Sequence, residues 1–435
     1  MSLDDARPRF ATIANYEFSA VMRGRVVPIA SVDDVLRVGL PWVPNNVCIS
    51  ALNTIPPDNP FGPMGETKII ALPHTRMVMP ARQDRPAMAV YLCDITNHDR
   101  SFWEGCARSQ LARTLALLEE RHGLTLRVGF EHEFYIFDLN AEVFSAYSLA
   151  GARKASVIAD EVQQTLATAD ARLDQFVPEF GYDQFETASA ARDAMTACDH
   201  AVLAREAIRD AARARGARAT FAPKPDLSAA GSGVHIHFSL WDRHGGARTA
   251  QSGALTATAG AFAAGILKHI EAVMAYSTPT PNSFQRATES SWVGVFACFG
   301  LRNREAALRL APREAAADGS HPGASLEFRL CDGSANPYLA VATLVRAGMI
   351  GLDQSLDPPI SVDRDPARIP QPERDARAIR RVPETLDPCL EAAAPFAPEW
   401  FGKTFWDAYS SVRRNDIKDA AAAGERYPAL LSQII

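Results

Sequence analysis

The chain has 435 residues, 47% of them hydrophobic, so it is long enough for two or three domains with a large buried core. Its formal net charge of −6 is mild and argues against the basic surface that nucleic-acid binding requires. The seven cysteines are scattered without a Cys-x-x-Cys pair, which argues against both a disulfide framework and a structural zinc site.

The first residues carry early acidic groups and no apolar segment of the kind found in a signal peptide. The most apolar stretch, Leu255 to Leu267, is shorter than the ~20 residues that a membrane-spanning helix needs. We therefore expect a cytoplasmic protein with reduced thiols, whose partners are small molecules rather than nucleic acid or a membrane.

The sequence of the first half of the chain predicts short secondary-structure elements. Residues 1–100 read as short strands and loops, with turn residues concentrated in residues 45–75. A helix is predicted over residues 109–122 from the spacing of its leucines, and Gly123 is expected to end it. A pair of strands is predicted over residues 124–138.

Longer helices are predicted in the second half. An Ala- and Arg-rich helix spans residues 189–215 and is expected to close at Gly216, and a helix of small residues spans residues 255–276. Residues 353–380 are rich in Asp, Arg and Pro and predict a surface segment. Residues 383–435 predict two or three short helices.

Acidic residues occupy one face of the first polar strand. Because side chains alternate along a strand, Glu131 and Glu133 lie on the same side. Two such carboxylates repel each other unless a cation lies between them. A solvent-facing edge strand is the alternative. Further along, Glu179 and Glu186 add two carboxylates within a Phe-rich stretch.

A second strand carries histidines. His235, His237 and Ser239 alternate with apolar residues and share a face that suits a metal ion or a phosphate. Two structural histidines are the alternative. Gly231 and Gly233 just before them permit a tight turn and the close approach of a ligand.

Arginines accompany a third strand. Glu327 and Arg329 share its polar face, and a simple ion pair is one interpretation. Arg286 follows in a separate cluster, and Arg304 and Arg309 lie among Ala and Leu residues, where a guanidinium needs an anionic partner such as a carboxylate or a phosphate. Ordinary surface arginines are the alternative.

Taken together, and in their order along the chain, these motifs resemble the glutamine synthetase superfamily, in particular its γ-glutamyl-amide (amine) ligases. The likeness covers about residues 90–435. The motifs are Glu131-x-Glu133, Glu179 through Glu186, Phe221 to Pro225 with Gly231 to His237, Asn282 to Arg286, Arg302 to Arg304, and Glu327-Phe328-Arg329 through Asn336-Pro337-Tyr338.

The resemblance implies an α+β fold. A β-grasp-like N-terminal domain would span residues 1–103. A glutamine synthetase-type catalytic domain, with a curved antiparallel sheet and flanking helices, would span residues 104–435. The resemblance also implies self-association into a dodecameric ring.

The same resemblance implies three groups of site residues. Two divalent ions, Mg²⁺ or Mn²⁺, would be held by Glu133, Glu179 and Glu186 and by Glu131, His235 and Glu327. ATP would be contacted by His237, Ser239, Arg304 and Arg309. The carboxylates of the glutamate-like acid would be held by Arg286 and Arg329. Gly231 is also predicted to contact the substrates, and Trp292, where the chain departs from the family, is predicted to contact the amine. Of these residues, Arg304, Arg309 and Glu327 would act in catalysis.

The chain departs from relatives that use ammonia. Those relatives carry an acid in an N-terminal Asp-Gly-Ser-Ser loop and a Glu six residues after the glutamate-binding Arg. No such loop occurs in residues 40–70, and the sixth residue after Arg286 is Trp292. Glu289 lies three residues earlier, so a shifted alignment stays open. Ala230 stands where the family often has an Asn beside glutamate.

A Trp in place of an acid offers an apolar face and a quadrupole that attracts cations. We therefore predict an ATP-dependent ligase that joins glutamate to an organic amine, an alkyl- or arylamine being favoured, through a γ-glutamyl phosphate. Three alternatives stay open: a true glutamine synthetase that uses ammonia, a non-catalytic relative with a binding or regulatory role, and a ligase of the same chemistry that acts on another acid.

Overall fold

The structure is a computed structural model and describes residues 7–62, 64–140, 142–312 and 324–435. The strands are β1 (Phe10–Tyr16), β2 (Met22–Pro28), β3 (Leu40–Trp42), β4 (Thr67–Ala71), β5 (Met77–Met79), β6 (Met88–Thr96), β7 (Leu124–Phe137), β8 (Leu173–Pro178), β9 (Gln184–Ser189), β10 (Arg192–Asp193), β11 (Arg218–Thr220), β12 (Val234–Asp242), β13 (Ala250–Gln251), β14 (Ala254–Leu255), β15 (Phe296–Leu301), β16 (Ala306–Pro312), β17 (Ala324–Phe328) and β18 (Arg380–Arg381).

The helices are α1 (Val32–Val38), α2 (Ala107–His122), α3 (Leu149–Ala167), α4 (Ala194–Arg213), α5 (Ala257–Lys268), α6 (Ile270–Ser277), α7 (Pro281–Arg286), α8 (Pro337–Asp353), α9 (Gln371–Ala376), α10 (Leu386–Ala393), α11 (Ala397–Phe401), α12 (Lys403–Ala423) and α13 (Tyr427–Ser432). None of the helices in the described ranges is long and apolar enough to cross a membrane.

The N-terminal sheet has the strand order β2-β1-β6-β4-β3, and β5 also pairs with β6. β1 and β6 run parallel, and the other neighbours are antiparallel. A mixed sheet with a parallel central pair fits the β-grasp-like arrangement expected for this region. The domain boundary between residues 103 and 104 stays a prediction.

The second sheet carries the polar strands. Its order is β18-β15-β16-β17-β12-β7-β9-β8, and β10 and β11 pair with β7. Its neighbours are antiparallel except for the parallel pair β15 and β16. Helices α2 and α4 pack against β7, and α5 packs against α8. This arrangement confirms the predicted α+β class.

β7 is one strand of 14 residues, so the predicted pair of strands over this segment is wrong. β12 pairs with it from Leu124 to His132, and β9 pairs with it from Glu131 to Tyr135. β11 pairs with its last residues, Tyr135 to Phe137, so β7 has a partner strand at every position and no turn interrupts it. Its alternation sends the carboxylates to one face and buries Phe130, His132 and Phe134 on the other.

The predicted helices exist with shifted ends. α2 begins two residues earlier than predicted and ends as predicted, with Gly123 at φ 64° as its left-handed cap. α4 begins only at Ala194, because Asp193 caps it by accepting a hydrogen bond from Thr196 N at 3.1 Å.

Other helices differ from the prediction in number. The predicted helix over residues 255–276 is two helices, α5 and α6, which meet at His269 with φ −113° and ψ 26°. α3 was not predicted from the sequence. The C-terminal segment forms four helices, α10 to α13, and α12 alone has 21 residues.

Asn336 joins the N-terminal sheet to the rest of the molecule. Its side-chain oxygen caps α8 by accepting from Tyr338 N at 3.0 Å and Leu339 N at 3.3 Å. Its amide nitrogen donates to the carbonyls of Tyr16 at 2.8 Å and Glu17 at 3.0 Å, at the end of β1. One buried side chain thus fixes both the start of α8 and the end of β1.

Candidate active site

A cavity of about 920 Å³ lies over the polar face of the second sheet. Every site residue predicted from the sequence lines it except Ser239, which lines an adjoining cavity of about 170 Å³. Glu131 and His237 line both cavities. The polar strands, which are far apart in sequence, therefore contribute to one continuous site.

The strand register brings imidazoles and carboxylates together, because β12 lies between β7 and β17 and β9 lies beside β7. Three cross-strand pairs result: His235 opposite Glu131, His237 opposite Glu327, and Glu133 opposite Glu186.

The histidines approach the carboxylates closely. His237 Nε2 lies 3.1 Å from Glu131 Oε1, and His235 Nδ1 lies 3.5 Å from Glu131 Oε2 and 3.8 Å from Glu327 Oε1. The Nε2 atoms of both histidines are buried and face carboxylate oxygens, that of His235 at 3.9 Å from Glu133 Oε1. An imidazole that carries its proton on Nδ1 would present the Nε2 lone pair to a cation bound among these carboxylates.

Two groups of three side chains have ligand atoms within 4.8 Å of one another: Glu131, His237 and Glu327, and Glu131, Glu186 and His235. These groups differ from the predicted ligand sets, because Glu131 belongs to both groups and His237, which was not predicted as a metal ligand, belongs to one. Carboxylate oxygens with imidazole nitrogens suit Mg²⁺ or Mn²⁺, so the donor set fits the divalent ions that the resemblance implies. The division into two sets of ligands stays a prediction.

The carboxylates of this cluster repel one another. Burial, followed by the charges of Glu131 and Glu133, raises the pKa of Glu186 to about 9. Burial and the charge of Glu133 also raise the pKa of Glu179. A divalent cation would relieve this repulsion and favour the ionised carboxylates.

Glu327 is fully buried and is bound by two arginines. Arg309 Nη1 lies 2.6 Å from Glu327 Oε2, and Arg329 pairs with the other oxygen. Burial would raise the pKa of Glu327, but Arg329, the histidines and Arg309 outweigh burial and lower it to about 2. The ion pair considered from the sequence therefore exists, but inside the cavity.

Arg286 occupies space that two glycines leave free. A Cβ at Gly231 would lie 2.5 Å from Arg286 Cγ, and a Cβ at Gly233 would lie 2.3 Å from Arg286 Nη2. The side chain of Arg286 is buried and donates to the carbonyl of Cys331 at 3.2 Å. The close approach expected at these glycines is thus made by Arg286.

Trp292 lies at the mouth of the cavity, with 54% of its surface exposed and a φ of 62°. Its carbonyl accepts hydrogen bonds from Arg329 at 2.6 and 3.2 Å, and its N–H donates to Glu305 Oε1 at 2.9 Å. Glu289 instead pairs with Arg381 and is not among the residues that line the cavity.

Two of the lining residues that were not predicted from the sequence contact Glu179. The hydroxyl of Tyr147 donates to Glu179 Oε2 at 2.9 Å, and the N–H of Phe180 donates to the same oxygen at 2.9 Å. Tyr147 lies in a loop outside every motif, so no local pattern signals it. Phe180 directly follows Glu179, and that adjacency was the only signal that the sequence offered.

Comparison with known proteins agrees with this geometry. The model of the glutamine synthetase catalytic domain matches residues 104–427. A γ-glutamylpolyamine synthetase of Streptomyces coelicolor is 36% identical over 325 residues, which cover 71% of this chain and 68% of the relative. A glutamine synthetase of Thermococcus kodakarensis is 31% identical over 332 residues, which cover 75% and 72%.

A solved structure agrees over nearly the whole chain. The crystal structure of a novel glutamine synthase homolog aligns with a TM-score of 0.86 at 29% identity, covering 98% of this chain and 97% of that one.

Proposed function

This chain belongs to the glutamine synthetase family and is a carbon–nitrogen ligase, and we propose that it forms a γ-glutamyl amide from glutamate, ATP and an organic amine. The observation that carries the proposal is that five carboxylates, two histidines and four arginines from distant motifs line one cavity. This convergence also argues against a non-catalytic role.

The reaction needs activation because a carboxylate would have to expel oxide. In the first step, an oxygen of the γ-carboxylate attacks the γ-phosphorus of ATP, giving an acyl phosphate and ADP. In the second step, the amine nitrogen bonds to the acyl carbon, the bond to the phosphate oxygen breaks, and inorganic phosphate leaves. The nitrogen releases its proton, so that amide, ADP, phosphate and a proton are the products.

The arginines supply positive charge where the reaction needs it. Arg304 and Arg309 are proposed to clamp the transferred phosphoryl group, while Arg286 and Arg329 hold the carboxylates of the acid. Such charge neutralisation and positioning provide most of the catalysis in phosphoryl transfer. His237 and Ser239 are proposed to lie beside the ATP phosphates.

The carboxylates are proposed to hold two divalent ions, with Glu133, Glu179 and Glu186 as one set and Glu131, His235 and Glu327 as the other. When bound, the ions would neutralise phosphate charge. Glu131 lies close to both histidines, so its carboxylate is the one best placed to bridge the two sets of metal ligands.

An organic amine is favoured over ammonia by the surroundings of Trp292. The acid that ammonia-using relatives carry is absent at this position, and the nearby Glu289 is held by Arg381. The Streptomyces relative is by name a ligase for polyamines. Ammonia is the second candidate, because the Thermococcus relative is a glutamine synthetase.

We also propose that residues 1–103 and 104–435 are separate domains and that the chain assembles into a dodecameric ring, as is typical of the family. Light scattering of the purified protein checks the assembly. A mass about twelve times that of one chain is expected, and a monomer would contradict the ring.

The test measures ADP release with ATP, Mg²⁺ and glutamate held constant while ammonium is compared with alkyl-, aryl- and polyamines. We expect an organic amine to give a higher kcat/KM than ammonium. We also expect Trp292→Ala to change the preference among amines about 10-fold, in line with the loss of one apolar contact. Phe102→Ala, at an exposed aromatic residue that is not among those lining this cavity, is the control.

Two outcomes would contradict the proposal. Faster turnover with ammonium would identify a glutamine synthetase whose deprotonating groups lie elsewhere. An unchanged amine preference in the Trp292 variant would remove this residue from the amine pocket.

A further inference from the structure

We propose that Phe180 and Trp292 form the two walls of the amine pocket, and that the pocket takes a monoamine with a bulky apolar body, such as an arylalkylamine, in preference to a polyamine. This inference rests on the proposed function, because it assigns the amine of the same reaction.

Phe180 and Trp292 are unusually exposed. Phe180 has 70% of its surface exposed and Trp292 has 54%, and both line the cavity that holds the acidic cluster. Large aromatic side chains that remain exposed inside a cleft are typical of surfaces that bind an apolar ligand. Tyr182, two residues beyond Phe180, is 76% exposed but is not among the lining residues.

Both aromatic residues are fixed to the acidic cluster through their backbones. The N–H of Phe180 is bound to Glu179, and the carbonyl of Trp292 is bound to Arg329, which pairs with Glu327. Glu179 directly follows β8 and its N–H donates to the carbonyl of Gln184 on β9, whereas Glu327 lies on β17. The backbones of Phe180 and Trp292 are therefore held beside carboxylates that come from different strands of the sheet.

The charge of the cavity disfavours a polyamine. Among the described residues, the carboxylates that line the cavity are Glu131, Glu133, Glu179, Glu186 and Glu327, all of them proposed metal ligands. The other charged side chains of its lining are cationic. A second ammonium group that reached into the cavity would therefore meet cationic side chains or compete with the metal ions for the same carboxylates, and both are unfavourable. A neutral apolar body would instead pack against the aromatic rings.

The experiment compares kcat/KM for benzylamine, methylamine and putrescine in the full-length enzyme with ATP, Mg²⁺ and glutamate. We expect the wild type to prefer benzylamine to putrescine. Phe180→Ala is expected to lower the ratio of benzylamine to methylamine kcat/KM about 10-fold, because the aromatic contact serves only the larger amine. Tyr182→Ala is the matched control and should change the ratio less than about twofold.

Phe180→Leu keeps most of the bulk but loses the ring, and it should lower the same ratio even if the alanine variant does not fold. An unchanged ratio in the variant that folds, or a wild-type preference for putrescine, would overturn the two-walled pocket and leave the amine ligase activity standing. Turnover with ammonium but with none of the three amines would instead overturn the proposed function itself.

Discussion

The position of the Arg286 side chain depends on two neighbouring glycines. Gly231 and Gly233 leave the volume in which its buried guanidinium lies, at the edge of the cavity. At Gly233 the nearest atom to an added Cβ would be Nη2, the flexible end of the arginine, so the fold can adjust. The group that must move is the one proposed to bind the acid.

Gly233→Ala is therefore expected to raise the KM for glutamate about 10-fold, equivalent to ~1.4 kcal/mol of binding, with little change in the thermal midpoint. Steady-state kinetics and thermal unfolding of the same preparation provide the two measurements. Gly62→Ala is the control, because no heavy atom lies within 4 Å of an added Cβ there. An unaltered KM would show that Arg286 does not hold the acid.

At the scale of an element, α8 shows how one cap serves two parts of the molecule. Pro337 at its first position and Asn336 at its N-cap are the residues that start a helix well. The same Asn336 donates to two backbone carbonyls at the end of β1, where water is excluded. Its replacement would remove the acceptor of two N–H groups at the start of α8 and one donor to each carbonyl, although the carbonyl of Glu17 would keep its bond from Ala20 N at 3.0 Å.

Asn336→Ala is expected to destabilise the protein by about 2–4 kcal/mol, which combines the loss of a cap with the loss of two buried hydrogen bonds to the carbonyls of Tyr16 and Glu17. Ser148→Ala is the matched control, since Ser148 caps α3 by accepting from Gly151 N but makes no other contact of this kind in the described structure. It should cost about 1 kcal/mol. Equal shifts of the thermal midpoint in the two variants would mean that the contact with β1 adds nothing.

At the scale of the whole molecule, the side chains of β7 alternate between the face of the catalytic sheet that lines the cavity and the face that packs into the core. Glu131 and Glu133 face the cavity, while His132 between them is buried against Phe130 and Phe221, at ring distances of 5.7 and 6.0 Å. Burial, aided by the charge of Arg205, lowers the pKa of His132 to about 3. The packed core therefore holds this histidine neutral.

This burial makes global stability depend on pH. Between pH 6.5 and about 3, unfolded chains bind a proton at His132 and folded chains do not. The free energy of unfolding is therefore unaffected by His132 above pH 6.5, the pKa of histidine in the unfolded chain, and decreases as the pH falls below it. The expected loss is about 1.4 kcal/mol per pH unit below 6.5. Thermal unfolding at pH 7.5 and 5.5 should show a smaller acid-induced decrease in His132→Leu than in the wild type. A decrease as large as that of the wild type would contradict the assignment, and His98→Leu, at an exposed histidine, is the control.

The polar faces of the three strands were predictable because strand alternation is a local property. The spacing of Glu131 and Glu133, of His235 and His237, and of Glu327 and Arg329 requires only that the backbone be extended. The ordered motifs likewise predicted the fold class, which the sheet confirms. The polar faces depend on residues that are close together in sequence, whereas the fold class followed from the order of the motifs along the chain.

Only the tertiary structure decided which distant groups meet. It joined His237 to Glu131 and Glu327, brought Arg286 against Gly233, and placed Tyr147 on Glu179. It also made β7 a single strand and divided the helix near His269. The reason is physical: strand pairing and side-chain packing are contacts between residues far apart in the chain, and no periodicity within one segment records its partners.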